Sequence, residues 1–382
     1  MIYFLIIVIL IGFLVVVIDF IPQLNTWQRR IKIGRFSDAA IWNQKVLQLA
    51  KQWLDKTPTI KLTDNNRFII IDVLRGNYKR NSIQSWQEAA LLLGLNQYVS
   101  KNKEAKISNQ ITNFVQSKMD SYGNWKVLPK EIDTVILGYA ILKTDGIDVN
   151  KYKPAFDTLY RLINDLKGND GTIAYRNHMP NFRYVDTIGF ISPFLVRYGL
   201  LFNQPSAIEL GINQIREYTK YAMLQDQFIP CHTYNIQTKL PVGLFGWGRG
   251  LGWYAIGLID TWNELPATHP NKAELTEMVQ RFAKMAMQFQ NENGSWNWLI
   301  VNNQSQSDSS ATASLAWFLA NANTIIDCNL AKEKALDYLM HVTRRNGAVD
   351  FSQGDTKGIG VHSQQFDILP FTQGFCLRTL NV

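Results

Sequence analysis

The residue with the clearest chemical potential is Asp186, in the segment Arg183-Tyr184-Val185-Asp186-Thr187. Tyr184 and Phe190 lie close to it in the sequence. A carboxyl group lodged among aromatic side chains has a raised pKa, which suits a proton donor near neutral pH. The alternative is structural, because an aspartate at the start of a helix is very often an N-cap. Spacing alone favours the N-cap, so a catalytic role needs a second, independent sign.

A glycine-rich run from Phe245 to Pro266 is the second candidate site. Its glycines alternate with Trp247, Arg249 and Trp253, and an apolar helical pattern follows at once. The start of a helix offers free N–H groups and a partial positive charge, and a guanidinium pairs well with a carboxylate. The run therefore predicts an anion site with aromatic walls at the mouth of a helix. Close helix packing is the structural alternative, and the spacing does not fit a nucleotide-binding loop.

Three further residues are candidates with equally plain structural alternatives. Asp133 stands at a predicted helix start, where it is again a possible N-cap. His232 lies in a loop fifteen residues before Trp247, and a single histidine in a loop more often packs than binds. Trp296 beside a turn suits the C–H face of a sugar and helix packing equally. The remaining histidines lack ligand spacing, so we expect no metal and no cofactor.

The composition of the chain limits which classes of binding partner we expect. The 382 residues carry a formal net charge of +8 and give a pI of about 9.2. Because no long block of Lys and Arg occurs, we do not expect a nucleic acid partner. A mild basic excess fits an acidic small substrate or an anionic membrane surface. Cys231, Cys328 and Cys376 are far apart, which predicts reduced structural thiols.

An uninterrupted apolar run from Ile2 to Ile18 opens the chain, near the lower length limit for a membrane span. A cleaved signal peptide is the rival, but no basic residue precedes the run and no small-residue cleavage site follows it. We expect a transmembrane anchor over residues 1–22, a juxtamembrane linker over 23–36 and one domain over 37–382. The basic residues just after the span favour a cytoplasmic domain; they are Arg29, Arg30, Lys32 and Arg35.

From Asp38 onward the pattern is helical nearly to the end. Apolar residues at three-and-four spacing predict helices over residues 39–53, 86–99, 107–115, 134–142, 152–166, 185–200, 207–221, 251–265, 275–289, 311–322 and 331–342. Short turns recur about every fifty to seventy residues, at 122–125, 170–173, 226–229, 293–296 and 346–349. This period predicts a helical array.

The recurring turns fall at the same place in each period, so they would gather at one end of the array. We therefore expect a closed all-α ring of helix hairpins with a cup at that end. The alternative is an open α-solenoid used for binding.

Two segments resemble one known family. The run Trp247–Trp253 resembles the W-x-R-G-x-G-W signature of the unsaturated glucuronyl and rhamnogalacturonyl hydrolases, glycoside hydrolase families 88 and 105. Tyr184–Gly199 resembles their segment W-x-D-T-x-x-M-x-x-P-F-L-x-x-Y-G. The chain departs from the family at Leu251, where Asn is usual, and at two aromatic positions where Trp and Met are commoner. It also departs near Arg176, where the family often has a histidine after an aromatic residue.

The resemblance implies an (α/α)6 barrel with the site in its cup. It implies that Asp186 is a general acid/base, with Asp133 as its helper. It implies substrate contacts from Tyr184, His232, Trp247, Arg249, Trp253 and Trp296. The family acts on oligosaccharides that polysaccharide lyases leave with a 4,5-unsaturated uronic acid end, and it hydrates that double bond without a metal. The alternative is a catalytically inactive, membrane-anchored protein for saccharide binding or polysaccharide assembly.

Overall fold

Helices dominate the structure, a computed structural model that describes residues 1–78 and 80–382. The helices are α1 (Ile2–Arg30), α2 (Ala39–Asp55), α3 (Ile69–Leu74), α4 (Asn81–Asn102), α5 (Ala105–Lys118), α6 (Val135–Leu142), α7 (Lys153–Asp165), α8 (Val185–Leu201), α9 (Pro205–Tyr221), α10 (Gly248–Glu264), α11 (Lys272–Gln288), α12 (Ser309–Ala322), α13 (Asn329–His341) and α14 (Pro370–Leu380). The strands are β1 (Phe182–Tyr184), β2 (Met223–Leu224), β3 (Ile229–Asn235), β4 (Leu240–Phe245), β5 (Ser352–Gln353) and β6 (Phe366–Asp367).

Six helices form a closed inner ring. Helices α4, α6, α8, α10, α12 and α14 each contact the next one along the chain, and α14 contacts α4. These helices are buried on nearly every side, as in α10, where every residue from Gly248 to Thr261 is buried. A helix that is covered all round belongs to a core. The ring is therefore the core of the domain.

A second layer of helices surrounds the ring. Helices α5, α7, α9, α11 and α13 each pack on the inner helix that precedes them, and α2 packs on α14 to complete the sixth hairpin. The buried residues of α13 are Ala331, Ala335, Tyr338 and Leu339, which lie on one helix face. The expected closed (α/α)6 barrel is confirmed. The eleven predicted helices are α2 and α4 to α13, whereas α3 and α14 were not predicted.

The recurring turns all lie at one end of the barrel. Each connects an outer helix to the next inner helix, so each precedes the start of an inner helix. Gly123, Gly171, Gly294 and Gly347 occupy these turns with φ angles between 75° and 91°. Side chains rarely tolerate such angles, which explains the repeated glycine. The starts of the inner helices and the turns before them form the expected cup.

Glycines also allow the inner helices to approach closely. A Cβ atom on Gly374 of α14 would meet the backbone carbonyl of Ala90 in α4, and one on Gly94 would meet the carbonyl of Gly374. In α10, a Cβ on Gly257 would meet the backbone of Ile188 in α8. Several glycines of the ring therefore serve close helix packing. Close packing is the structural alternative given above for the glycine-rich run, to which Gly257 belongs.

One buried carboxylate links three inner helices. Asp260 of α10 accepts hydrogen bonds from Nε1 of Trp317 in α12, at 2.9 Å, and from Nη1 of Arg378 in α14, at 2.7 Å. Asp260 is only 1% exposed and Arg378 only 4%. This ion pair is therefore sealed inside the barrel wall.

The N-terminal helix α1 projects from the barrel with no buried residue. Its mean hydropathy reaches 3.3 over eighteen residues, so it is long and apolar enough to cross a membrane, as an anchor or as a signal sequence. The helix covers the expected anchor, residues 1–22, and continues to Arg30 within the expected linker, residues 23–36.

The base of α1 is fixed to the cup end of the barrel. The Arg30 guanidinium donates to the carboxylate of Asp350 at 2.8 Å and to the carbonyl of Phe366 at 2.8 Å. Asp350 also binds Arg344 at 2.6 Å. These barrel residues lie between α13 and α14. The helix therefore leaves the domain from the end that carries the cup.

Candidate active site

A cavity of about 180 Å³ opens at the cup end of the barrel. Six of the residues singled out in the sequence line it: Tyr184, Asp186, His232, Trp247, Arg249 and Trp253. Three of the inner-helix starts contribute to this lining or support it. Asp186 lies in the first turn of α8, Arg249 lies in the first turn of α10, and Asp133 precedes α6. The structure thus brings together helix starts that are at least fifty positions apart in the chain.

Asp186 is a buried carboxyl group in the first turn of α8. Asp186 is 9% exposed. Tyr184 occupies the N-cap position of α8, so Asp186 is not the N-cap of this helix. Burial raises the pKa of Asp186 to about 7, and the nearby charges of Asp133 and Asp355 raise it while that of Arg249 lowers it. Among the described residues its Oδ2 has no hydrogen-bond partner. The group is therefore suited to hold a proton near neutral pH and to release it.

A short sheet places His232 beside this carboxyl group. Strand β3 pairs antiparallel with β1, with Thr233 opposite Tyr184, so His232 lies next to the start of α8. Its Nε2 is 3.8 Å from Oδ2 of Asp186. Burial lowers the pKa of His232 to about 3, so the imidazole is neutral and the contact is not an ion pair. A neutral imidazole can donate or accept a hydrogen bond.

Trp247 and Arg249 hold another segment of the cavity wall. The Arg249 guanidinium donates to the carbonyls of Gln353 and Gly354, the latter at 2.7 Å. Nε1 of Trp247 donates to the side-chain oxygen of Gln353 at 2.9 Å. Arg249 is 1% exposed but lines the cavity, so its positive charge acts on the cavity. Its nitrogens also fix the backbone just before Asp355.

Asp355 is a second carboxyl group in the cavity, and sequence reasoning missed it. Burial raises its pKa to about 6, while Arg249 lowers it. Its neighbour Lys357 also lines the cavity and pairs with Asp64 at 3.1 Å. One feature of the sequence could have identified Asp355, namely its position along the chain. It follows the last recurring turn, as Asp186 follows an earlier one.

Asp133 lies behind an arginine that lines the cavity. Nη2 of Arg176 binds Oδ2 of Asp133 at 2.7 Å, and its Nε is 3.2 Å from Glu131. The guanidinium of Arg176 also stacks on Tyr175, 3.7 Å from the ring centre. The segment that departs from the family pattern thus contributes a cation. Asp133 is 1% exposed, so it acts on the cavity through Arg176 and through its own charge.

Aromatic rings form much of the wall. Trp253 lies 4.5 Å from Phe190 and 5.4 Å from Trp86 between ring centres, and all three line the cavity. Trp296 does not line it. That indole is fully buried and donates to the carbonyl of Ala286 at 2.8 Å, a position that supports its packing alternative.

We find no evident metal-binding site in the part of the chain that the structure describes. Within residues 1–78 and 80–382, no group of three or more His, Cys, Asp or Glu side chains could hold a metal ion. The cavity instead combines two carboxyl groups, three arginines, one lysine and neutral aromatic surfaces. Such a set can move protons and bind an anionic sugar.

Comparison with known proteins places this geometry in a family. The profile described as Glycosyl Hydrolase Family 88 matches residues 44–377. The unsaturated rhamnogalacturonyl hydrolase YesR of Bacillus subtilis is 20% identical over 291 residues, which cover 74% of this chain and 82% of YesR.

Solved structures show the same fold at low identity. A possible member of family GH105 from Salmonella enterica has a TM-score of 0.73 at 15% identity, covering 91% of this chain and 94% of its own. The unsaturated glucuronyl hydrolase of Bacillus sp. GL1 has a TM-score of 0.64 at 17% identity, covering 93% and 96%. Because the family profile spans most of the chain, this protein belongs to Glycosyl Hydrolase Family 88 and is a glycoside hydrolase.

Proposed function

We propose that this enzyme removes a 4,5-unsaturated uronic acid from the end of oligosaccharides, with Asp186 as the general acid/base. The substrate class follows from relatives described as unsaturated rhamnogalacturonyl and glucuronyl hydrolases. The observation that carries the catalytic assignment is Asp186 itself. It is a cavity-lining carboxyl group whose Oδ2 has no partner among the described residues and whose pKa burial raises to about 7.

The chemistry needs one positioned acid. The unsaturated end is a vinyl ether, so a proton from the Asp186 carboxyl group to carbon 4 leaves a cation shared between carbon 5 and the ring oxygen. Water then adds to carbon 5, and the Asp186 carboxylate accepts the proton that this water releases. The resulting hemiketal opens and expels the remaining sugar as an alcohol. Net, one water is consumed and Asp186 returns to its acid form.

Positive charge in the cavity suits the uronic carboxylate. Arg249 contributes its charge from a fixed position, since its nitrogens are hydrogen-bonded to Gln353 and Gly354. Arg176 contributes a second guanidinium that Asp133 and Glu131 hold in place. We assign Arg249 the main electrostatic role, because Asp133 and Glu131 already neutralise much of Arg176.

Neutral groups complete the proposed binding site. His232 lies beside Asp186 as a neutral imidazole that can bind a sugar hydroxyl. Tyr184, Trp247 and Trp253 present aromatic surfaces that suit the C–H face of a sugar. Asp133 acts as the helper, because its charge favours the protonated form of Asp186.

We further propose that α1 is an uncleaved anchor and that the domain faces the cytoplasm. Contacts with the barrel occur on both sides of residue 22. Arg30 binds Asp350, and the Asp19 carboxylate accepts from the backbone N–H groups of Phe68, at 2.6 Å, and Ile69, at 3.0 Å. A segment that is removed after targeting does not need such partners. The basic residues after the span favour the cytoplasmic side.

The substrate proposal is tested with the full chain in detergent. The conjugated double bond of lyase products absorbs in the ultraviolet, so its loss reports hydration directly. We expect decay with members of a panel of unsaturated uronyl oligosaccharides and none with their saturated counterparts. No decay across a broad panel, from a folded protein that still binds these sugars, would contradict the proposal and favour saccharide binding without turnover.

The pH dependence should follow the protonated fraction of Asp186. Because burial raises its pKa to about 7, the acid form dominates below that pH and disappears above it. We expect kcat/KM to fall with rising pH, approaching about tenfold per unit above roughly pH 8. The measurement is the initial rate of absorbance loss between pH 5 and pH 9.

A matched variant identifies the group that titrates. Asp355→Asn removes a negative charge that raises the pKa of Asp186, so the falling limb should move to lower pH. A value of kcat/KM that rises between pH 7 and pH 9 in the parent protein would contradict the role of Asp186 as the acid.

A further inference from the structure

Helix α3 carries a cluster of exposed apolar side chains that the hydrolase site does not explain. Leu74 is 81% exposed and Phe68 56%, and between them Ile70, Ile71 and Val73 are also exposed. An exposed cluster of large apolar residues on a folded domain usually marks an interaction surface. We refer to residues 68–74 as the α3 surface.

The α3 surface lies beside the proposed span of α1 at a defined depth, because Asp19 joins the two. This carboxylate accepts hydrogen bonds from the backbone N–H groups of Phe68 and Ile69, at the start of α3. Asp19 directly follows the apolar run Ile2–Ile18. At a rise of about 1.5 Å per residue, that run spans roughly 26 Å, close to the hydrocarbon thickness of a bilayer. The α3 surface therefore lies at the level where the span meets the headgroups.

Positive charge flanks the same surface. Arg67 precedes it and Arg75 follows it, and both are exposed. Beyond the span, Arg29 and Lys32 are exposed as well. Apolar side chains bordered by basic ones fit the surface of an anionic bilayer, in which the apolar groups enter the interface and the basic groups meet lipid phosphates.

The α3 surface is also joined to the rim of the catalytic cavity. Just before it, Asp64 accepts from the Ser363 hydroxyl at 2.6 Å and pairs with Lys357 at 3.1 Å. Lys357 lines the cavity, as does Arg80, which follows α3 by six residues. The depth of α3 therefore fixes the height of the cavity rim above the membrane.

From this arrangement we propose that the α3 surface rests in the interfacial layer of an anionic membrane and holds the cavity rim at that surface. The inference rests on the proposed anchor. It goes beyond anchoring, because a span followed by a free linker would let the barrel tumble away from the lipid. Here a second contact fixes the cup end toward the bilayer, so saccharide ends would be taken up next to the membrane.

The test uses the full chain in vesicles of phosphatidylcholine with phosphatidylglycerol. An environment-sensitive fluorophore is attached at Leu74→Cys, and the matched control is Leu330→Cys. Leu330 is 67% exposed and lies in the first turn of α13, at the opposite end of the barrel. The native Cys231, Cys328 and Cys376 are buried, and the unsubstituted chain reports any background labelling.

We expect lipids with a quencher near the headgroup to quench the Leu74 probe several-fold more than the Leu330 probe. Aqueous iodide should show the reverse order, and removing phosphatidylglycerol should reduce the lipid quenching. Equal iodide access at both positions would overturn the proposal, as would a Leu74 probe shielded from both quenchers, which indicates a protein partner. Quenching that ignores phosphatidylglycerol would overturn the assignment to an anionic surface.

Flotation of the same vesicles separates this inference from the anchor. A chain that floats with an iodide-accessible Leu74 probe overturns the inference alone, whereas a chain that does not float overturns the anchor and the inference together. Far-ultraviolet circular dichroism of the labelled proteins checks that both variants are folded. The absorbance assay on the same proteins then tests the hydrolase proposal independently of either result.

Discussion

Replacing Asp186 with Asn is expected to lower kcat by at least roughly 10²–10⁴-fold, the range that a general acid/base contributes. The amide has nearly the same shape as the carboxyl group, but it cannot give a proton to carbon 4 or take one from water. Asp186 is the cavity carboxyl group whose pKa burial raises to about 7, so its loss removes the proton donor available at neutral pH. The measurement is the rate of absorbance loss at saturating substrate.

Folding should survive this substitution, because Oδ2 of Asp186 makes no hydrogen bond within the described residues. The expected Tm and far-ultraviolet circular dichroism are those of the parent protein. Asp355→Asn is the matched control, since it removes the other carboxyl group that lines the cavity. It should retain far more turnover. If Asp186→Asn keeps substantial activity while Asp355→Asn loses it, the roles of the two residues are reversed.

The second large effect concerns stability and lies far from the chemistry. Asp260→Ala is expected to lower the free energy of unfolding by about 3–5 kcal/mol, the cost of leaving one member of a buried ion pair without its partner. Arg378 is 4% exposed and would lose its 2.7 Å bond to Asp260. The indole of Trp317 would lose its acceptor as well. Denaturant unfolding followed by circular dichroism measures the change.

Two further variants make this result interpretable. Asp226→Ala removes an exposed aspartate and should change the free energy of unfolding by less than about 0.5 kcal/mol. The double variant Asp260→Ala with Arg378→Met removes both charges and should recover part of the loss. A loss below about 1 kcal/mol for Asp260→Ala alone would mean that the unpaired guanidinium finds water or another acceptor.

The outer layer of the barrel was predictable because its helices have one buried face. In α13 the buried positions recur at three and four residues, and the sequence carries that period. Helix α14 was missed for the opposite reason. It is buried on all sides, and its polar residues are satisfied by distant partners, as when Gln373 donates to the carbonyls of Val46 and Gly347. Helix α14 is also only eleven residues long, and polar residues interrupt its apolar sequence, so its pattern is weaker than that of the inner helices that were predicted.

The residues of the candidate site also fall into two groups, those that the sequence predicted and those that it did not. Asp186 and Arg249 start inner helices within recognisable motifs, and both line the cavity. Asp355 lies in an irregular loop that Trp247 and Arg249 fix through Gln353 and Gly354, and no local pattern predicts that contact. Trp296 was expected in the site, but its sequence does not distinguish an indole that faces a sugar from one that bonds to Ala286 in the core.

The way the ring closes has a consequence for how the chain is made. The last inner helix, α14, packs between α12 and α4, and its outer partner α2 comes from the other end of the domain. The barrel therefore cannot close until the residues of α14 have left the ribosome. By that time α1 has been outside the ribosome for most of the synthesis. Until then the facing sides of α4 and α12 stay uncovered, so the nascent chain must be protected from aggregation for most of its synthesis. Cutting the chain before Pro370 should leave this seam open permanently.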